Sequence, residues 1–267
     1  MSAQQTVPAT GEDEAPVTVS RRDGVVTVVL NQSRRKNAMT LEGWRLLGEA
    51  LSSVTLGEDR VVVVTGAGED FCAGADLSSQ SGETHSLVNM EVVNAACLAL
   101  HRCPVPTVAR VDGVAVGAGM NIALACDLVV ASSRARFSEI FIRRGLSVDF
   151  GGAWVLPRLV GLQKAKELVL LGDILSAEEA SQAGLVTRVV AADALDAEVD
   201  GLVARLRANP PIAASLSKRM LNASFEMDLP QALDTEGANQ SVNMVMDDAK
   251  EAFEAFLAKR EPHFRGR

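Results

Sequence analysis

Apolar residues in the first part of the chain follow the period of a strand, then of a helix, then of a strand again. The run "VTVSRRDGVVTVVLN" (17–31) alternates around Asp23-Gly24 and predicts a β-hairpin with its turn at that dipeptide. From Thr40, "TLEGWRLLGEALSSV" places apolar residues at helical spacing behind an N-cap residue. The continuous apolar run "RVVVVTGAG" (60–68) is typical of a strand buried on both faces. This order predicts a mixed α/β fold.

The alternation of strands and helices continues until a purely helical final segment. Residues 84–102 predict an amphipathic helix, and residues 107–132 predict a strand, a glycine turn, a helix and another strand. The last predicted strand is "LVTRVV" (185–190). Beyond it, helical periodicity covers residues 194–208, 211–224, 230–246 and 247–259. An α/β body is therefore followed by helices alone.

Length and composition suit one large domain with an appendage. The chain has 267 residues, of which 48% are hydrophobic, so its core needs no disulfide or metal. We expect a disordered tail at residues 1–15 and an α/β core at residues 16–195. The apolar positions of the last helices predict that residues 196–267 form a helical oligomerisation region.

Charge and composition exclude several classes of partner. The formal net charge of −8 argues against a nucleic-acid binder, and an anionic ligand would need a local basic cluster. With 4% aromatic residues and no Tyr, the chain lacks a base-stacking platform. The N-terminal stretch has neither the basic start nor the apolar core of a secretion signal, and no apolar run is long enough to span a membrane. We expect a cytoplasmic protein without a membrane partner.

Cysteine and histidine spacing predicts no metal site. Cys72, Cys97, Cys103 and Cys126 form no C-x-x-C pair and lie among small or apolar residues, which favours free thiols in a reducing compartment. The histidines are scattered without the spacing of metal ligands, at positions 85, 101 and 263.

Two glycine-rich turns follow predicted strands, at "TGAGEDFCAGADL" (65–77) and "VAVGAGMNIAL" (114–124). The second only partly fits a dinucleotide-binding fingerprint, because its third glycine position is Ile122, although Glu139 follows Gly119 at a suitable distance. Neither turn is followed by the Gly-Lys-Ser/Thr of a phosphate loop. Two readings remain: the glycines allow close packing, or the turns present paired backbone N–H donors, as in an oxyanion hole.

The sequence resembles the crotonase superfamily, the enoyl-CoA hydratase/isomerase family, from about residue 16 to about residue 262. The matching segments are "RRKNAMT" (34–40), "VVVVTGAGEDFCAGADL" (61–77), "VDGVAVGAGMNIALACDLVVAS" (111–132), "GLSVDFGGAWVLPRLVG" (145–161) and "AEEASQAGLVTRVV" (177–190). The resemblance implies a spiral of ββα units with a C-terminal helical trimerisation segment. It also implies a homotrimer or a dimer of trimers.

The same resemblance implies an acyl-CoA thioester as the substrate and an enolate as the intermediate. The N–H groups of Ala75 and Ala118, beside Gly74 and Gly117, would hold the thioester oxygen. The CoA portion would meet a basic stretch, a loop and a C-terminal segment; these are Arg34, Arg35 and Lys36, then Ala73, Asp76 and Leu77, then Phe256 and Lys259 of "FLAKR". No cofactor besides the CoA of the substrate is expected.

The carboxylates that family hydratases use are replaced in this chain. Their two glutamates correspond to Asn121 and Phe141, whereas isomerases of the superfamily carry an aspartate at the position of Asp149. Asp149 alone also suits a helix N-cap, since a helix is expected after Phe150. If it is catalytic, apolar neighbours should raise its pKa above about 3.9. Glu139 is expected to be a surface acid.

We therefore expect an enoyl-CoA isomerase that shifts a C=C double bond with Asp149 as acid and base. An enoyl-CoA hydratase of fatty-acid or aromatic-acid degradation is the first alternative. A non-catalytic acyl-CoA-binding paralogue is the second, because fold alone does not fix activity. The segment that shapes the acyl pocket is expected at residues 78–97, whose sequence does not indicate a substrate.

Overall fold

A computed structural model describes residues 15–79 and 85–267. The expected tail, apart from Ala15, and the middle of the expected acyl-pocket segment lie outside the described residues. The strands are β1 (Val17–Arg22), β2 (Val25–Leu30), β3 (Val61–Gly66), β4 (Thr107–Val111), β5 (Val114–Val116), β6 (Leu128–Ser132), β7 (Arg136–Ser138), β8 (Leu175–Ser176) and β9 (Arg188–Val190). The helices are α1 (Leu41–Ser52), α2 (Ser86–His101), α3 (Ala118–Ala125), α4 (Gly152–Leu171), α5 (Ala177–Gln182), α6 (Leu195–Arg207), α7 (Pro211–Ala223), α8 (Leu229–Met244) and α9 (Asp247–Ala258).

The strands form two sheets. The larger has the order β1-β2-β3-β4-β6-β9, with β1 and β2 antiparallel and the remaining neighbours parallel. The predicted hairpin is confirmed, since β1 and β2 pair from Val17 with Leu30 to Arg22 with Val25. The smaller sheet has the order β5-β7-β8.

The smaller sheet corrects the prediction of a single strand before the second glycine turn. The chain leaves the large sheet after β4, turns at Gly113 with φ +54°, and enters the other sheet as β5. Strands of two and three residues are too short to produce a periodic pattern. The change of sheet carries the second glycine turn, which follows β5, to the side of the first.

Strand β3 is buried on both faces, as its continuous apolar run predicts. Val62 and Val64 belong to the main hydrophobic core. Val61 and Val63 point to the opposite face, where they join a second cluster with apolar side chains of α6, including Leu195. This central strand ends at Gly66 and leads into the first glycine turn, so both cores fix the position of that turn.

Local features of the helices and cysteines also agree with the sequence. The Thr40 side chain accepts a 3.1 Å hydrogen bond from the N–H of Gly43 and caps α1. All four cysteines are free; Cys97 is half-buried and the other three are buried. Among the described residues, no helix is long and apolar enough to cross a membrane.

Helices α6 to α9 form the predicted helical segment at the C-terminus. The last two helices and the turn between them leave many large apolar side chains exposed within the single chain. These are Leu229, Leu233, Val242, Met244, Val245, Phe253, Phe256 and Leu257. Val245 and Phe256 are 86% and 81% exposed, respectively. A cluster of large apolar side chains this exposed is typical of a surface that is covered by a binding partner.

Candidate active site

The two glycine turns lie against each other, backbone to backbone. A Cβ placed on Gly119 would lie 2.2 Å from the carbonyl oxygen of Cys72, and one on Gly74 would lie 3.5 Å from the nitrogen of Ala118. Gly74 also has a φ of +90°, which residues with a side chain rarely adopt. The glycines are therefore required for this close approach, and both readings of the turns are compatible: close packing brings the two N–H-bearing segments together.

Two N–H groups at this junction are left without an acceptor. Neighbouring amides are engaged, because those of Val116 and Gly117 donate to the carbonyls of Cys72 and Ser138. The N–H groups of Ala75 and Ala118 donate to no group within the described part of the chain. Ala118 is the first residue of α3, where helix geometry leaves the N–H unpaired and the helix dipole favours negative charge. The pair suits an oxygen that gains negative charge during a reaction.

Asp149 lies half-buried in the loop before α4, and its backbone carbonyl accepts a hydrogen bond from Asn121 of α3, the helix that begins at Ala118. The following residue, Phe150, is buried with its ring centroid 5.2 Å from that of Trp44. Burial raises the pKa of Asp149 to about 6, in the expected direction. The N-cap of α4 is Gly151 and receives no side-chain cap, so the alternative of Asp149 as a helix cap is wrong. Its Oδ1 atom is buried and has no hydrogen-bond partner among the described residues.

Asn121 links α3 to the Asp149 loop. Its side chain is buried, and its Nδ2 donates a 2.9 Å hydrogen bond to the backbone carbonyl of Asp149. The same nitrogen lies 3.5 Å from Oε2 of Glu139. An amide at this position can orient its neighbours but cannot act as a general acid or base near neutral pH.

The expectation that Glu139 is a surface acid is wrong. Only 1% of the residue is exposed, and its side chain faces Asn121. Strand β7 ends at Ser138, and Glu139, with φ −82° and ψ 59°, lies between this strand and the 3-10 helix Ile140–Arg144, where its side chain is directed inward. The pKa of Glu139 is raised to about 8: burial raises it, the hydrogen bond from the Asn121 amide lowers it by less, and the charge of Asp149 adds a smaller increase.

Phe141 and Cys97 complete the apolar surroundings. The Phe141 ring is buried and lies 3.7 Å from the position of a Cβ on Gly117, so it packs behind the second turn. The Sγ atom of Cys97, on α2, lies 3.0 Å from the position of a Cβ on Gly151. Burial and then the charge of Asp149 raise the pKa of this thiol to about 11. Cys97 could not be predicted as a neighbour of the site, because α2 approaches the Asp149 loop only in the folded structure.

The predicted CoA-binding stretch and loop are neighbours in space. The carbonyl of Lys36 accepts a 2.9 Å hydrogen bond from the N–H of Ala73, beside the first glycine turn. Arg35 forms a 2.6 Å ion pair with the buried Asp76, and the Lys36 ammonium lies 3.4 Å from a carboxylate oxygen of Asp70. The side chains of Arg34, Arg35, Lys36 and Leu77 are exposed at the surface.

Phe256 and Lys259 are not brought to this site within the single chain. Both are exposed, and Lys259 ends α9 in the left-handed region with φ +52°. No hydrogen bond or ion pair joins Lys259 to the loops of the site in the described structure. In the same described residues, no group of three His, Cys, Asp or Glu side chains is arranged to hold a metal ion.

Comparison with known proteins identifies the fold and the class of site. A family model described as "Enoyl-CoA hydratase/isomerase" matches residues 20–267. The chain belongs to the enoyl-CoA hydratase/isomerase family. A crystal structure of an enoyl-CoA hydratase from Bacillus anthracis superposes with a TM-score of 0.90 at 31% identity, covering 94% of this chain and 100% of that one. The crotonase-like fold expected from the motifs is therefore confirmed.

Some relatives within the enoyl-CoA hydratase/isomerase family are named hydratases and others isomerases. A "Probable enoyl-CoA hydratase" of Rhodobacter capsulatus is 36% identical over 247 residues, covering 92% of this chain and 96% of the relative. A "1,2-epoxyphenylacetyl-CoA isomerase" of Escherichia coli is 36% identical over 252 residues, covering 91% and 96%. A structure from Thermobifida fusca, solved in complex with CoA, has a TM-score of 0.80 at 34% identity, covering 86% and 93%. As a family member, the protein is an acyl-CoA enzyme.

Proposed function

We propose that the protein is an enoyl-CoA isomerase in which Asp149 moves the proton. The observation that carries this proposal is a half-buried carboxyl with a pKa of about 6, in a loop that is hydrogen-bonded to the helix carrying one of the two free N–H groups. The two positions where family hydratases carry glutamates hold Asn121 and Phe141. The Escherichia coli relative named an isomerase is consistent with the proposal.

The proposed reaction converts a β,γ-enoyl thioester into the conjugated α,β-enoyl thioester. The Asp149 carboxylate removes a proton from the α-carbon, and the electrons spread into a dienolate whose oxygen accepts hydrogen bonds from Ala75 and Ala118. Asp149 then returns the proton to the γ-carbon, which restores its charge. Since one proton moves and no oxidation state changes, the reaction uses no cofactor besides the CoA that the substrate carries.

Hydration is the second candidate, because Glu139 brings another carboxyl to Asn121. Two carboxyls around one site are what the addition of water across a double bond requires. Several relatives also carry hydratase names. An assay of both reactions on a panel of enoyl-CoA substrates separates the candidates. Faster turnover of β,γ-enoyl-CoA supports isomerisation, and faster loss of the conjugated absorbance of crotonyl-CoA supports hydration.

Neither reaction would be observed if the protein only binds acyl-CoA. In that case, acyl-CoA would still raise the midpoint temperature of unfolding, because a ligand that binds only the folded state stabilises it. This combination of stabilisation without turnover would overturn the proposed function.

For the CoA portion, we expect Lys36→Ala to raise the Kd for CoA by about 3- to 10-fold, with a weaker salt dependence than wild type. The ammonium lies at the surface beside the first glycine turn and is held by one long ion pair to Asp70, so it remains available to a phosphate. Isothermal titration at two ionic strengths measures the effect. Lys164→Ala, which removes an exposed lysine paired with Glu167 on α4, is the matched control. Equal losses in both variants would contradict a specific role for Lys36.

We propose that the exposed apolar surface of α8 and α9 is covered in a homotrimer or a dimer of trimers. Val245→Asp and Phe253→Asp should each lower the mass measured by light scattering, since a charge at a buried contact is unfavourable. Val19→Asp, on the edge strand β1 and 40% exposed, is the control and should leave the mass unchanged. A monomeric wild type would contradict this assembly.

A further inference from the structure

Glu139, Asn121 and the backbone of Asp149 form a small buried polar cluster. Nδ2 of Asn121 donates to the Asp149 carbonyl at 2.9 Å and lies 3.5 Å from Oε2 of Glu139. Both the Asn121 and Glu139 residues are 1% exposed. The three members come from α3, the end of β7 and the loop before α4, so the amide connects segments that are distant in sequence.

The cluster contains more acceptors than donors. Oδ1 of Asn121, Oε1 of Glu139 and Oδ1 of Asp149 are all buried without a partner in the described structure. The amide cannot be turned over to relieve this shortage, because the Asp149 carbonyl only accepts and needs the NH₂ group facing it. Buried oxygens of native proteins are normally hydrogen-bonded, so a hydrogen is missing from this set. A proton on one carboxyl supplies it.

Glu139 is the carboxyl better placed to keep that proton. It is almost fully buried, whereas Asp149 is only half-buried. Burial raises the pKa of Glu139 to about 8 despite the hydrogen bond from Asn121, whereas the pKa of Asp149 rises only to about 6.

No cation among the described residues lowers the pKa of Glu139. Helix α3 contributes Asn121 and no titratable residue, and Asp149 comes from the loop before α4. The Gly172 turn packs on the Glu139 carbonyl. Arg143, from the 3-10 helix Ile140–Arg144 that follows Glu139, forms an exposed ion pair with Asp173 of that turn. Cys97, on α2, responds to the charge of Asp149 and contributes nothing to the pKa shift of Glu139.

The amide has little room to move. A Cβ on Gly152, the first residue of α4, would lie 2.5 Å from Nδ2 and 2.8 Å from Oδ1 of Asn121. The backbone of α4 therefore presses directly on the amide from one side, and Glu139 faces it on another. The amide, and with it the Asp149 loop, is therefore held in place by the backbone of α4 and by the side chain of Glu139.

We propose that Glu139 is a positioning residue that acts in its protonated form, holding the Asn121 amide that fixes the backbone of Asp149. This inference rests on the proposed function, in which Asp149 is the base. When Glu139 loses its proton, a negative charge appears beside the Asp149 carboxylate and close to the start of α3. That charge opposes the developing enolate, so turnover falls.

The pH profile of kcat tests the proposal. For wild type we expect a bell whose acidic limb reports Asp149, with a pKa of about 6, and whose alkaline limb reports Glu139, with a pKa of about 8. Between pH 7 and pH 9, wild-type kcat should fall by about tenfold. Glu139→Gln keeps the shape of the side chain but cannot ionise, so this fall should shrink to less than about twofold. Asp173→Asn is the matched control and should keep the wild-type profile, because it removes a surface carboxylate paired with Arg143 of the 3-10 helix Ile140–Arg144.

If Glu139→Gln keeps the wild-type alkaline limb of the kcat profile, the inference is overturned. A lower unfolding temperature of this variant would then show that Glu139 has a structural role only. Asp149→Asn separates this failure from failure of the proposed function. If Asp149→Asn keeps full activity, the proposed function fails; if it is inactive while Glu139→Gln keeps the limb, only the role of Glu139 fails.

Infrared spectroscopy of the wild type gives a test that does not depend on the folding of a variant. At pH 7 we expect the carbonyl-stretch band of a protonated carboxylic acid in the wild type, and its intensity should fall about tenfold by pH 9. Persistence of the band in Asp149→Asn would assign it to a carboxyl other than Asp149. Absence of this band at pH 7 would overturn the proposal.

Discussion

Asp149→Asn should lower kcat for the isomerisation of a β,γ-enoyl-CoA by about 10³-fold while changing the Kd for CoA by less than about twofold. The substitution keeps the size of the side chain and removes its ability to take and return a proton. General acid–base catalysis by one positioned group contributes about 10²–10⁴-fold in enzymes. The free N–H groups of Ala75 and Ala118 are backbone groups of other segments and stay in place.

Steady-state kinetics with CoA titration measures both quantities. Asp196→Asn, which removes an exposed carboxylate paired with Arg110, is the control and should match wild type. If Asp149→Asn retains more than about a tenth of wild-type turnover, another group moves the proton. Crotonyl-CoA hydration, followed with the same variants, shows whether a second reaction depends on Asp149.

Gly119→Ala should lower the free energy of unfolding by about 1–3 kcal/mol and lower kcat by about 10²–10³-fold. The added Cβ would lie 2.2 Å from the carbonyl oxygen and 2.8 Å from the carbonyl carbon of Cys72. Because both are backbone atoms, no side-chain rotation relieves the overlap. The two glycine turns must separate, which moves Ala75 away from Ala118.

Urea unfolding and steady-state kinetics together test this expectation. Gly201→Ala, in the interior of α6, is the matched control because its added Cβ meets nothing within 4 Å. It should stabilise the protein by about 0.5–1 kcal/mol, since alanine is the better helix former. Wild-type stability and turnover in Gly119→Ala would contradict the assigned contact between the turns.

The elements that local chemistry determines were predictable from the sequence. The hairpin at Asp23-Gly24, the Thr40 cap and the doubly buried β3 each follow from a pattern within about ten residues. The C-terminal helices have the predicted order, with ends within two residues of those expected. The small sheet was not predicted, because strands such as β8 are too short to show a period.

The site was predictable only in part. The order of the motifs indicated the two turns, and the structure adds the backbone contacts through which Gly74 and Gly119 join them. The direction of the Glu139 side chain was not predictable. Glu139 is the single residue between the end of β7 at Ser138 and the start of the 3-10 helix at Ile140, and such boundaries cannot be read from a sequence to within one residue. One indication was available in the sequence: Glu139 stands within the apolar run "FSEIFI" (137–142).

In the proposed mechanism, backbone groups hold the thioester, whereas side chains move and position the proton. Ala75 and Ala118 would act there through their backbone N–H groups, which any residue other than proline also carries. Asn121, Glu139 and position 149 present side chains, which substitution alters directly. A library randomised at these three positions should therefore preserve CoA binding in many members while it samples different proton transfers. Screening it against several enoyl-CoA substrates offers a route to new reactions on one scaffold.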